Sequence, residues 1–474
     1  MYLINVRTYL LEHFVDVEDC PDYAALSHRW GTTKDELTFH EIEIDVITER
    51  TKQKPGWKKL VRSCQAAKKL DCEWIWIDTC CIDKKSSAEL QEAINSMWNI
   101  YSGARVCLAY LNDVQYSPDS NVTVTNLDVL GEQGFPAWLV QKTFETSEWF
   151  TRGWTLQELL APQKVVFFTP DWRPFGTRHG LSQMISRTTS IPENCLRSGS
   201  WREGRIWKCS TMTKLSWAAR RKTKRIEDRA YSLFGLFAIQ MPLIYGEGQN
   251  AFKRFQKQLL EESEDATLLL WQQSAGSAGF GGKNTGPFAD SPADFAGVLS
   301  FPIDSPTDSD YHPWTLTNLG LALTREVTYV STQVSRHVQE AIVWLGIMVS
   351  PDGGKYLPYG REVFEICPYR STPHVSPSDS WKKSLGLLAC TSGTKRGAWN
   401  VEWALHVEID RDFKDGVIIV WRIRPLCIAT PLSEKSSGLW TADDRVPRKR
   451  MQVVIARRQR IGADNHTLQR PPRA

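Results

Sequence analysis

The chain has 474 residues, 42% of them hydrophobic and 24% charged, and a formal net charge of +4. This length suits two or three domains, and the composition is that of an ordinary globular protein rather than a disordered or fibrous one. So small a charge gives no footprint for nucleic acid, and no nucleic-acid partner is expected.

Residues 1–14 mix Arg7, Glu12 and His13 with apolar residues, so no signal peptide is expected there. Tyr23 to Ser27 is a short apolar run that predicts a first strand. Trp57, Leu60, Val61, Cys64, Ala67 and Leu70 fall at helical spacing and predict a helix over 57–70. Trp74 to Asp78 predicts a second strand. Ser86-Ser-Ala-Glu89 has the spacing of a capping box. The helix it opens is expected to bury Leu90, Ile94, Met97, Trp98 and Tyr101 and to stop at Gly103. Val106 to Leu111 and Lys164 to Phe168 predict two more strands, with a helix starting near Trp154 before the second of them. Strands alternating with helices imply a parallel sheet covered on both faces. Residues 112–148 interrupt this pattern and read as a surface insertion.

Residues 212–261 read as helical, with Ala230, Leu233, Phe234 and Phe237 on one face and Phe252, Phe255 and Leu259 on another. Ser274 to Gly282 is small and glycine-rich, which suits a linker. Beyond it, β-branched runs such as Glu340–Val349, Trp403–Ile409 and Gly416–Ile423 predict an all-β sandwich or barrel. The tail from Gln469 is expected to be disordered. No apolar run is long enough for a membrane span. The eleven cysteines are odd in number and lack a C-x-x-C pair, which argues against a disulfide framework or a zinc module and fits a reducing, cytoplasmic location.

Three strings stand out: Tyr23-Ala-Ala-Leu-Ser-His-Arg-Trp-Gly31, Trp74-Ile-Trp-Ile-Asp-Thr-Cys-Cys-Ile-Asp83 and Arg152-Gly-Trp-Thr-Leu-Gln-Glu-Leu-Leu-Ala-Pro162. They resemble the signature blocks of the fungal heterokaryon-incompatibility (HET) domain. Ser86–Val114, Ser216–Gly235 and Met241–Gly248 resemble further segments of that family, in the family's order. The resemblance covers about residues 1–271, with a core at about 22–170 and a helical extension at 171–271; residues 283–474 form the β-rich remainder. It implies an α/β fold with a parallel Toll/interleukin-1 receptor (TIR)- or flavodoxin-like sheet, flanking helices and a helical extension, followed by a β-rich C-terminal domain. It also implies a role in programmed cell death during fungal allorecognition or innate immunity. By the likeness to TIR domains, some of which cleave NAD, it implies NAD as a substrate rather than a bound cofactor, and self-association through the HET domain. The alternative is a non-enzymatic death-signalling module that self-associates and recruits a protein partner or sensor.

On that resemblance Glu158 is the catalytic candidate. Breaking the nicotinamide–ribose bond leaves an oxocarbenium-like sugar, which one carboxylate can stabilise; the plainer reading is a first-turn glutamate complementing the helix dipole. Ser27, His28, Arg29, Trp30, Gly31, Asp78 and Trp154 are the candidate substrate-binding residues. Ser27 and His28 sit at a strand end, where polar groups can meet a ribose, although His28 also suits a structural turn. Arg29 has the forked donors for a pyrophosphate or for an ion pair with Asp78 or Asp83. Trp30 and Trp154 suit either stacking on a base or nicotinamide ring or the core. Asp78 suits capping or a ribose hydroxyl. Cys80 and Cys81 read as small buried residues rather than nucleophiles. No metal is expected. Arg220 to Arg225 reads as a solvated basic face. The β-rich region is expected to restrain the first domain.

Overall fold

The computed structural model describes residues 1–15, 20–32, 34–43, 47–115, 140–197, 204–263, 265–271, 286–296, 314–317, 320–330, 339–349, 399–412, 417–431 and 449–456. Most of the insertion, the glycine-rich linker at 274–282 and the tail from Gln469 lie outside the described residues. The chain divides into two compact units. The first is Met1–Cys209, Lys214–Glu262 and Asp290–Ala293; the second is Ser210–Thr213, Ser263–Ala289 and Asp294–Ala474.

The first unit is a mixed α/β structure on a seven-stranded sheet of order β2-β1-β4-β3-β5-β6-β7. Its strands are β1 (Tyr2–Asn5), β2 (Leu11–His13), β3 (Tyr23–His28), β4 (Trp74–Trp76), β5 (Val106–Tyr110), β6 (Val165–Phe168) and β7 (Pro174–Thr177). The central strands β4, β3, β5 and β6 run parallel. These are the strands predicted from apolar runs, and burial explains why they read so clearly. Every residue of β3 and β6 is buried, and strands covered on both faces become near-continuous apolar runs. The remaining strands pair antiparallel at the two edges and carry no such signal: β1 and β2 are only partly buried, and β7 contains Pro174 and Gly176.

Numbered among themselves, the parallel strands follow the order 2-1-3-4. That is the order of flavodoxin-like doubly wound sheets. The chain leaves β3 toward one neighbour, returns across it and continues on the far side, so the order reverses between β3 and β5. In sheets of this order the loops leaving the carboxyl ends of the strands diverge at that point, which is where such sheets bind ligands. Ser27 and His28, the last two residues of β3, lie at that end.

Helix Pro55–Lys69 follows β3. The single helix expected after Ser86 is instead two, Ser87–Asn95 and Met97–Gly103, broken at Ser96. The capping box is half formed. Ser86 Oγ accepts from Glu89 N at 3.3 Å, but the Glu89 carboxylate accepts from Asp83 N at 3.2 Å instead of from Ser86 N. Helix Met97–Gly103 is tied to β3 by two tyrosines: Tyr101 Oη donates to Leu26 O at 3.1 Å, and Tyr23 Oη donates to Ile100 O at 2.6 Å.

The helical expectation for 212–261 is corrected to four shorter helices, Thr211–Ala218, Asp228–Tyr231, Phe234–Phe237 and Asn250–Glu262. The breaks have local causes. Ala238 adopts φ of 55°, and Gly246 and Gly248 adopt φ of 101° and 61°. Both glycine amides donate to Glu227 Oε1, at 2.9 and 3.1 Å. Phe234 and Phe252 then flank Phe255 with stacked rings, centroids 6.1 and 6.0 Å away.

In the second unit, strands Gly320–Val330, Gln339–Val349, Trp399–Asp412, Val417–Pro431 and Lys449–Ala456 pair in a six-stranded sheet with the short Thr315–Leu316. A pairing between Gly320–Val330 and Gln339–Val349 closes the five long strands into a ring. Among the described residues, no helix is long and apolar enough to cross a membrane.

Candidate functional site

The carboxyl end of β3 is polar and buried. Ser27 is fully buried and Glu158 is 8% exposed. The Ser27 hydroxyl donates to Glu158 Oε2, and Ser27 Oγ accepts from Trp149 Nε1 at 2.8 Å. The indole has no proton-accepting nitrogen, so it can only donate. It therefore orients the serine hydroxyl toward the carboxyl. Trp149 is held by the aromatic cluster of Phe144, Phe150, Phe167 and Phe175. It lies at the end of the insertion region and was not a predicted site residue.

Glu158 is carried by helix Thr155–Leu160, every residue of which is buried. The segment before the helix is pinned from outside the sheet. Gly153 N donates to Lys222 O at 2.8 Å, and Lys222 N donates to Thr151 O at 2.6 Å. Arg221 Nη1 donates to Arg152 O and to Thr155 Oγ1, both at 2.9 Å. Gln157 Nε2 reaches Ser232 O at 2.7 Å. The stretch 216–235 therefore braces the helix that carries Glu158. Arg221 corrects the reading of 220–225 as wholly solvated: its side chain turns inward while Arg220, Lys222, Lys224 and Arg225 stay exposed. A charge run alone carries no signal for which member turns in.

Burial dominates the electrostatics. Loss of water raises the Glu158 carboxyl from 4.5 to about 8; Asp78 pushes in the same direction, and the Ser27 hydrogen bond, Arg152 and Arg221 oppose it. Burial also raises Asp78. Its Oδ2 accepts from Trp30 Nε1 at 2.8 Å, while the buried Oδ1 has no hydrogen-bond partner. His28 is pushed well below its usual value, first by burial and then by the charges of Lys59, Arg152 and Lys84, so the ring is neutral at pH 7. Neither of its ring nitrogens has a hydrogen-bond partner, and Nε2 stands 3.9 Å from Glu36 Oε2. Arg152 Nε and Arg221 Nη2 are likewise buried and unpartnered. An unpaired buried polar group costs about 1–3 kcal/mol. Four such groups around one strand end leave hydrogen-bonding capacity that water or a polar ligand can take up.

The other sequence candidates lie around this cluster in different ways. Gly31 N donates to Glu36 Oε1 at 2.6 Å, and the same carboxylate accepts from Lys59 Nζ at 2.6 and 2.7 Å. This holds the turn after β3. Trp30 is half-buried, with its indole N–H engaged by Asp78. Trp154 is half-buried, and its indole favours the charged form of Asp228 in the bracing stretch. Arg29 is exposed and pairs with Glu148 at 2.6 Å, rather than with Asp78 or Asp83. Cys80 and Cys81 are buried, and loss of water raises the first thiol to about 12 and the second well above its usual value. Neither is a thiolate at neutral pH.

Residues 23–158 match the family described as Heterokaryon incompatibility protein (HET). The chain is also 39% identical over 240 residues to the vegetative incompatibility protein HET-E-1 of Podospora anserina. That alignment covers 50% of this chain but only 16% of the relative, so the chain matches a small part of that protein's length. No solved structure matches the chain.

Proposed function

We propose, taking as premise that residues 23–158 are a HET domain, that the chain acts in heterokaryon incompatibility as a cell-death effector and that it does so by hydrolysing NAD. The observation that carries the chemical reading is the pairing of Ser27 with Glu158 in a buried polar cluster at the carboxyl end of β3. In this reading the bond between the ribose C1′ and the pyridinium nitrogen breaks, and its electron pair neutralises the departing nicotinamide. No acid is needed for that leaving group. Glu158 stabilises the positive sugar as a carboxylate and then takes the proton of the water that adds to C1′, giving ADP-ribose. Ser27, fixed by Trp149, orients the carboxylate. Neutral His28 and Asp78 Oδ1 supply hydrogen-bonding capacity for ribose hydroxyls. The TIR likeness, the cytoplasmic location, self-association through the HET domain and restraint by the β-rich region, which lowers the activity without abolishing it, belong to the same proposal.

A host experiment tests the effector role. Expression of the full chain in a fungal host is expected to arrest growth and lower cellular NAD, and Glu158→Ala is expected to abolish both while the protein still accumulates. Growth arrest that survives Glu158→Ala with NAD unchanged overturns the hydrolase and favours the non-enzymatic module that recruits partners.

A further inference from the structure

We propose that Lys84 and Lys224, gathered over the indole of Trp30, form the subsite that binds the phosphate arm of this site's ligand. Lys84 Nζ stands 4.0 Å from the Trp30 ring centroid and Lys224 Nζ 5.4 Å from it. The two come from separate loops. Lys84 follows β4 and precedes the helix at Ser87, and Lys224 lies three residues beyond the inward-turned Arg221. Both are exposed, and among the described residues neither ammonium makes an ion pair or a hydrogen bond. Two like charges collected on one ring repel each other. Each is held only by an exposed, and so weak, cation–π contact. A phosphate or pyrophosphate between them removes the repulsion and gains charge-assisted hydrogen bonds that exceed those contacts.

The position fits the ligand. Trp30 is tied to Asp78, and the Lys84 charge bears on both Asp78 and His28. The two lysines therefore border the same buried cluster as Glu158. Within that cluster, Arg152 and Arg221, each with a buried unpartnered guanidinium nitrogen, add positive charge near Glu158. Arg29, the sequence candidate for this task, is instead neutralised by Glu148. The inference specifies the proposed site's ligand as a pyrophosphate-bearing nucleotide, and in that respect it rests on the hydrolase reading; the anion subsite itself does not.

Calorimetric titration of the full chain with inorganic pyrophosphate at low salt tests it. Saturable binding is expected, weakened about tenfold or more in Lys84→Gln/Lys224→Gln. It should be restored in part by Lys84→Arg/Lys224→Arg and left unchanged by Lys68→Gln/Lys69→Gln, which removes the same charge elsewhere. Pyrophosphate binding that is absent, or equal in the wild type and the Lys84→Gln/Lys224→Gln variant, overturns the subsite. ADP-ribose binding weakened by the same variant assigns the subsite to a nucleotide. Pyrophosphate binding without ADP-ribose binding keeps the subsite and overturns the nucleotide assignment. Pyrophosphate binding without nicotinamide release overturns only the hydrolase.

Discussion

Glu158→Gln is expected to stabilise the protein at pH 8 and to change its stability little at pH 4.5. The Glu158 carboxyl is raised from 4.5 in the unfolded chain to about 8 in the folded one. The folded state therefore holds this proton more tightly. The stability it contributes is fully present below pH 4.5 and is lost as pH rises through about 8, at about 1.4 kcal/mol per pH unit for one proton. Asp78, also raised by burial, acts in the same direction. Glutamine keeps the shape and a carbonyl oxygen that accepts from Ser27, but it never ionises. Thermal or urea unfolding of both proteins across pH 4.5 to 8.5 reads the difference. The stability gap should widen with pH, by several kcal/mol in total. Parallel curves would mean that Glu158 titrates as it does in water and is not buried as described.

Gly235→Ala is expected to destabilise the first unit severely. A Cβ at Gly235 would stand 2.2 Å from Trp98 Cβ and 2.6 Å from Gln157 Oε1. Neither neighbour yields cheaply. Trp98 is buried in helix Met97–Gly103, and its Cβ is fixed by the backbone. Gln157 is fully buried, bonded to Ser232 O, and adjacent to Glu158. Helix Phe234–Phe237 must move away, at about 1–3 kcal/mol or more. Because the bracing stretch moves with it, nicotinamide release should fall along with the melting temperature. A melting temperature within a degree or two of wild type would show that the close approach of these helices does not exist.

Burial decided what was legible in the sequence. The central strands announced themselves because both faces of each are covered, so no polar residue interrupts them until Ser27 and Asp78. The break after Phe237 was hidden because Ala238 adopts a left-handed conformation that its residue type does not advertise, whereas the turn at Gly246-Glu-Gly248 was readable from its glycines. The site was readable only as far as its strand ends and the helix start. Ser27 and Glu158, 131 residues apart, do meet. Trp149 was hidden because one tryptophan among the chain's twenty carries no mark of a polar partner. Arg221 was hidden inside a run of cations. Arg29 went to Glu148 because ion pairs between long exposed side chains follow loop geometry rather than sequence spacing.

The most direct test is nicotinamide release from NAD by the purified full chain between pH 6 and 9. The expected result is a kcat/KM that rises with pH and levels above about 8, as Glu158 ionises, and a fall of about a hundredfold or more in Glu158→Gln. A folded protein that releases no nicotinamide at any pH, or a Glu158→Gln variant as active as wild type, would contradict the assignment of this buried pair as the reactive centre.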